Sequence, residues 1–285
     1  MSWASSRMRC YWPAKWMRET DVQSMGSPIS QDYDAYIFQK FADPIINRRL
    51  LDAGKQVWWD VCDPMWWFSP KESRAISETV TGVVASSEAL ARDYEAWANK
   101  PCHVIPDRLY MSHFPRQAVH QDTDCVKMIW FGLSANRYSL LNALDNLNRL
   151  EANGYKYELT ILDNQPEISS FSSNLPIHQE RWALDTENEM LASHDIALLP
   201  PYPGPWGKVK SNNKKLTAWA SGLAVTEGTD YAELLELATN TTARRNNAHA
   251  GAMNIQLGHY TADYSARDWE ALLNPQVEVM YIGRR

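Results

Sequence analysis

The chain has 285 residues and a mass of 32.6 kDa, with 45% hydrophobic and 22% charged residues, a formal net charge of -6 and a pI near 5.7. These values exclude a wholly disordered chain and a disulfide-stapled miniature, and they supply no overall positive field for nucleic acid or an anionic membrane. The excess is aromatic: 13 Trp and 13 Tyr against 6 Phe, with eight of the Trp before residue 100.

Short apolar runs alternate with helix-length amphipathic segments, the pattern of parallel strands joined by helical crossovers. Tyr11–Arg18 reads as a helix with Pro13 in its first turn. Strands are expected at Asp34–Phe38, Gln56–Val61, Gly82–Ser86 and Cys102–Ile105, with helices at Asp43–Ala53 and Ser87–Asn99. The polar stretch Ser112–Asp124 breaks the periodicity and reads as a linker. A second series follows with strand Val126–Phe131, helix Tyr138–Glu151, strands Tyr157–Leu162 and Ile177–Trp182, helix Thr186–Ser193 and strand Asp195–Leu199. It continues through helix Ser211–Ala220, strand Leu223–Thr226 and helix Tyr231–Leu237, with helix Ser265–Leu273 and strand Val277–Ile282 at the end. The expected organisation is a domain over residues 1–115, a second over 124–262, and a segment over 263–285 that crosses back to the first.

No apolar run reaches bilayer-spanning length and residues 1–18 lack the apolar core of a signal peptide, so a cytoplasmic location with no membrane span is expected. Cys10, Cys62, Cys102 and Cys125 form no CxxC pair and have no His at ligand spacing. Reduced thiols and no bound metal are therefore expected. His113 and His194 read as structural.

Ligands of open parallel sheets bind outside the carboxyl ends of the strands. The loops in question are Asp60–Pro64, Gly132–Arg137 and Pro200–Asn213. In KVKSNNKK, Lys208, Lys210, Lys214 and Lys215 surround a helix start with Ser211 as its N-cap, and free N–H groups, helix dipole and ammonium groups together suit a phosphate. A solvated basic turn is the alternative. Gly132 permits close backbone approach, with Ser134 and Asn136 beside it, and Arg137 can reach a phosphate. No GxGxxG or Walker pattern exists, which disfavours a dinucleotide enzyme or P-loop NTPase. On the other side, Asp60 or Asp63 can orient a hydroxyl or act as a base, or else start a turn and cap backbone.

These segments resemble the two-domain GT-B glycosyltransferases, in particular the mostly retaining, nucleotide-sugar-dependent group called family 4. IWFGLSANRYSL (129–140), HDIALLP (194–200) and KSNNKKLTAWASGLAVT (210–226) look like its donor-domain motifs, and SSRMR (5–9), VVASSEAL (83–90) and HVIPDRL (103–109) resemble the acceptor side. The resemblance implies an α/β fold of two Rossmann-like domains facing a cleft, with a reduced N-terminal domain. It implies sugar transfer from a nucleoside-diphosphate sugar to a hydroxyl on a glycan, lipid, protein or modified DNA base, with no cofactor. No DxD motif lies in a suitable loop, so cationic side chains would replace a metal. Donor contacts would come from Gly132, Ser134, Asn136, Arg137, Lys210, Ser211, Asn212, Lys214, Thr217 and Glu227. Asp60, Asp63 and Lys210 would be catalytic. Arg7, Arg9, Trp58, Trp59, Trp66 and Trp67 would line the acceptor side. The position that carries a ribose-binding Glu in the family is Thr217, and its acidic partner's position is Val209. Two alternatives remain open: a viral-type DNA glycosyltransferase acting on a hydroxymethylated base, with the Trp pairs as stacking surfaces, and a non-catalytic nucleotide-sugar binder on a degenerate scaffold. The sequence leaves the oligomeric state open.

Overall fold

A computed structural model describes residues 4–30, 32–165, 176–273 and 277–283; Trp3 lies outside them. Its strands are β1 (Thr20–Ser24), β2 (Ala35–Gln39), β3 (Gln56–Val61), β4 (Gly82–Ala85), β5 (His103–Val104), β6 (Cys125–Gly132), β7 (Lys156–Asp163), β8 (Ile177–Arg181), β9 (Ile196–Leu198), β10 (Ala224–Thr226) and β11 (Val279–Gly283). The chain divides into two compact units. Unit 1 comprises Met1–Tyr110, Gly204–Asn212 and Tyr260–Arg285; unit 2 comprises Met111–Pro203 and Asn213–His259.

Unit 1 is built on a six-stranded parallel sheet in the order β1-β11-β2-β3-β4-β5. Its inner strands are apolar along their length because both faces are covered. Successive side chains point to opposite faces, so Trp58 packs with Cys10, Ile37, Trp269 and Tyr281, while Trp59 packs on the other side with Trp66, Ile76 and Tyr94. The crossover helices start where the sequence supplies caps. Asp43 accepts from the Ile45 N–H ahead of Pro44–Asp52, and the Ser87 hydroxyl accepts from the Leu90 N–H ahead of Glu88–Ala98.

Several elements differ from expectation. Tyr11–Arg18 is no continuous helix: a π turn covers Arg7–Tyr11 and a 3-10 turn covers Pro13–Lys15. Pro13 has no N–H with which to continue the earlier turn. The polar strand β1 and the helices Met65–Phe68, Pro70–Ser77, Pro205–Val209 and Thr241–Leu257 are additional.

Unit 2 carries a five-stranded parallel sheet in the order β10-β9-β6-β7-β8. Val126, Met128 and Trp130 of β6 and Leu159 and Ile161 of β7 form the middle of its largest core, closed by Leu147, Leu150, Leu234 and Leu237. The chain builds outward from β6 to β8, then returns to β9 on the other flank of β6. The order therefore reverses between β6 and β9, a topological switch point. After β6 a 3-10 segment, Ser134–Asn142, precedes a shorter helix, Leu144–Ala152, in place of one helix from residue 138 to 151. The stretch read as a linker is fastened to unit 2. The Ala118 N–H donates to the Ser221 carbonyl, Gln117 Nε2 donates to the Ala220 carbonyl at 2.6 Å, and the His120 ring lies 3.0 Å from the Gly222 carbonyl. Among the described residues no helix is long and apolar enough to cross a membrane.

Candidate functional site

The switch point of unit 2 gathers residues from three loops. Gly132 ends β6, Tyr202 follows β9, and Lys214 lies in the first turn of the helix Asn213–Ala220. A Cβ built on Gly132 would stand 2.5 Å from Lys214 Nζ, so the absence of a side chain is what admits the ammonium. The same Nζ lies 4.6 Å from the Trp130 ring centre and 5.1 Å from that of Tyr202, within cation–π range. The Tyr202 loop is pinned by the Asn142 amide, which donates to the Pro201 carbonyl at 3.0 Å. Beside it, the Ser134 N–H donates to Asn164 Oδ1 and its hydroxyl to Gln165 Oε1, both at 2.8 Å. Tyr138, Leu133 and Leu141 are exposed along the loop and the segment that follows it.

A denser polar cluster occupies the carboxyl ends of β2, β3 and β5 in unit 1. Arg9, from the π turn, donates through Nε and Nη2 to the Asp60 carboxylate, and through Nη1 to the Ile105 carbonyl at 2.8 Å and Asp107 Oδ1 at 3.0 Å. All three charged groups are buried. Burial opposes the Arg9 charge, but Asp60 and Asp107 outweigh it and hold the guanidinium protonated. Burial pushes the Asp60 carboxyl above its ordinary range while Arg9 pulls it back. Asp107 also accepts from the Ser211 hydroxyl at 2.5 Å. Asp63 accepts from Lys210 on one oxygen and pairs with Lys40 on the other, each at 2.5 Å. Burial would raise the Asp63 carboxyl, but the two ammonium groups overcome it and hold it below the usual value. The Cys62 thiol is pushed up to about 12 by burial, Lys40 only partly offsetting it.

No protein-family model matches the sequence, and no curated protein matches it. Solved structures do match. S. aureus TarM, in complex with fondaparinux, α-GlcNAc-glycerol and UDP, aligns at 12% identity and a TM-score of 0.57 over 77% of this chain and 51% of its own. The UDP-forming trehalose-phosphate synthase of Burkholderia xenovorans aligns at 12% identity and 0.60 over 86% and 74%, and the N-terminal domain of Candida albicans trehalose-6-phosphate phosphatase at 9% and 0.60 over 85% and 70%. The fold is GT-B. The chain spans about half the length of the TarM structures it matches.

Against this GT-B frame, several residues singled out from sequence take different places. Arg137 is 1% exposed, paired through Nε and Nη2 with Asp163 at the end of β7 and bonded to the Gln165 carbonyl. Its charge is balanced inside the protein and is not presented to a phosphate. Lys210, Ser211 and Asn212 belong to unit 1, whereas Lys214 belongs to unit 2. Ser211 donates to Asp107 and does not cap a helix, which starts at Asn213. Thr217 is buried, and Val209 packs in the core of unit 1. Glu227 pairs with Lys215 at 3.2 Å, both over 40% exposed. Asn136 is half-buried in the 3-10 segment, its N–H bonded to the Leu133 carbonyl.

On the acceptor side, Arg7 and Arg9 are buried and not at the surface. Trp58, Trp59 and Trp66 are 6%, 0% and 2% exposed, so they are core residues with no ring face to offer; only Trp67, at 38%, reaches solvent. The two-sided burial of an inner parallel strand explains the Trp58–Trp59 pair, and a stacking surface made from these four loses three of its members. Asp60 is sealed by Arg9 and cannot serve as a base from its buried position. Lys40 and Tyr202 were missed, although Lys40 directly follows an expected strand, where this sheet type collects ligand contacts.

Proposed function

We propose that the protein is a nucleotide-sugar-dependent glycosyltransferase of the retaining, family 4-like kind, with its donor diphosphate held in unit 2 by Lys214. The carrying observation is the Lys214 ammonium seated against Gly132, between Trp130 and Tyr202, at the switch point of a parallel sheet. The fold's solved neighbours, one bound to UDP and another named UDP-forming, support the same reading.

In the transfer, the bond from the anomeric carbon to the diphosphate oxygen breaks and its electron pair leaves with the diphosphate. The acceptor oxygen forms the new bond, and its proton passes to the departing phosphate or to solvent. Lys214 lowers the barrier by meeting the negative charge that grows on the leaving oxygens, and the N-terminal end of its helix adds a dipole of the right sign. Indole and phenol rings flank the ammonium, at 4.6 Å and 5.1 Å from its Nζ. Tyr202, half-buried, and the exposed Tyr138 offer ring faces beside the same loop. The acceptor is a hydroxyl compound, and the reaction is proposed to run without a metal.

The test is thermal stabilisation by a panel of nucleoside diphosphates and their sugars, followed by hydrolysis or transfer assays with each. A ligand at 100 times its Kd adds about 2.7 kcal/mol of stability. Lys214→Ala should remove that stabilisation and lower turnover by about 10²-fold or more. A chain that no nucleotide stabilises overturns the proposal. Stabilisation without turnover of any donor selects the second reading, a non-catalytic binder, which the buried Thr217 favours.

A further inference from the structure

The Lys40, Asp63 and Lys210 group belongs to unit 1 and is built like a site. Lys40 and Lys210 each lie 2.5 Å from Asp63, on separate oxygens. An ammonium has more N–H donors than one carboxylate oxygen uses, and a single carboxylate leaves the pair with a net positive charge. Both lysines reach solvent, with 19% and 28% of their side chains exposed.

A second observation adjoins the first. Lys210 Nζ stands 5.1 Å from the Trp206 ring centre, and that ring packs 4.9 Å from Phe68, which is 58% exposed beside the exposed Trp67. Phe68 and Trp67 end a short helix directly after Asp63 and Pro64. An ammonium pair next to an aromatic shelf complements a ligand with an anionic group on one side and an apolar ring face on the other.

We propose that Lys40 and Lys210, with Asp63 as their built-in occupant and Trp206 and Phe68 as the shelf, bind a saccharide that carries a phosphate or a carboxylate. The ligand's anion takes the N–H donors that Asp63 leaves over, and the C–H face of its ring lies on the shelf. Binding of this ligand stands on the geometry of unit 1 alone; its role as the acceptor rests on the transferase reading above.

Isothermal titration calorimetry of the full chain with mannose 6-phosphate, glucuronate, glucose and inorganic phosphate tests it. At least one charged sugar should bind about tenfold or more tightly than glucose, and which of the two does so separates phosphate from carboxylate recognition. Lys40→Gln and Lys210→Gln should each weaken that binding about tenfold. Asp63→Asn, which removes the internal competitor, should strengthen it. Phe68→Ala, at an exposed position where folding is not at stake, should weaken the charged sugar and leave inorganic phosphate unchanged. Equal binding of glucose and both charged sugars overturns the proposal, as does binding that survives all three losses, Lys40, Lys210 and Phe68. UDP titrated in parallel keeps the two proposals apart. UDP binding without charged-sugar binding overturns the anion site and leaves the donor site standing; charged-sugar binding without UDP binding supports the anion site and removes its acceptor role.

Discussion

The two sheets treat their carboxyl ends in opposite ways. In unit 1 the order turns between β11 and β2, and the chain fills that place with its own N-terminal turn: the Ser6 hydroxyl donates to Gln39 Oε1 at 3.4 Å, and a Cβ on Gly283 would meet Cys10 Sγ at 3.1 Å. Arg9 from that turn then crosslinks β3 to the loop after β5 through Asp60 and Asp107. In unit 2 the corresponding place holds an ammonium among rings and a bare glycine. One switch point is closed by a salt-bridged turn, and the other seats a lysine ammonium against two aromatic rings. Cations of similar appearance in a sequence thus divide by what balances them. Arg9 and Arg137 are structural because a carboxylate seals each one, Lys40 and Lys210 share one partner between them, and Lys214 is held by polarisable faces.

The largest effect should come from breaking the sealed pair. Asp60→Ala leaves Arg9 buried opposite a vacancy and should cost about 3–5 kcal/mol in denaturant unfolding, because one partner of a buried pair is removed. A loss under about 1 kcal/mol would place Asp60 among exposed pairs and erase the contrast between the units. Gly132→Ala should be milder for the fold and specific for the site. Its Cβ must displace the Lys214 ammonium, so nucleoside-diphosphate binding should weaken about tenfold, while the positive φ of Gly132 and the nearby Trp130 ring cost the fold about 1 kcal/mol. Wild-type nucleotide affinity in that variant would detach Lys214 from the donor.

The smallest effect is pH-dependent and belongs to unit 1. The Asp63 carboxyl is held below its ordinary value of 3.8 in the folded chain. A depressed carboxylate contributes stability above its unfolded value and loses it as pH falls through the folded value. Asp63→Asn should therefore be less stable than wild type by about 1 kcal/mol near neutrality, and the gap should close below pH 3.8. A gap that widens in acid would reverse the sign assigned to Asp63.

Much of this architecture is legible in the sequence, because the inner strands announce themselves as apolar runs and their helices carry Ser or Asp caps. The missed elements lack those signals. β1 reads Thr-Asp-Val-Gln-Ser, an edge strand only partly buried, and Thr241–Leu257 is rich in Asn, Thr and small residues with little amphipathic contrast. The site is harder to read. A lysine's partner is decided by tertiary packing, so the KVKSNNKK segment looked like one basic cluster although Lys210 and Lys214 fall in different units. The tryptophans misled for a similar reason. Adjacent rings in a strand look like a platform, yet in a sheet covered on both sides they are the two faces of one core. Gly132 was readable, since a glycine closing an apolar strand predicts close approach, although what approaches is a lysine of the same chain.

The place of β11 has a consequence for synthesis. It lies between β1 and β2, so the first sheet has a gap in its interior until residues 279–283 leave the ribosome. Every strand of the second sheet is made earlier, and its last segment ends at His259. Vectorial folding should therefore complete the second unit while β1 and β2, more than 200 residues old by then, still await the strand that joins them. Translation arrested before β11 would yield a finished second sheet and an unclosed first one, and the first sheet would depend on pairing across almost the whole length of this sequence.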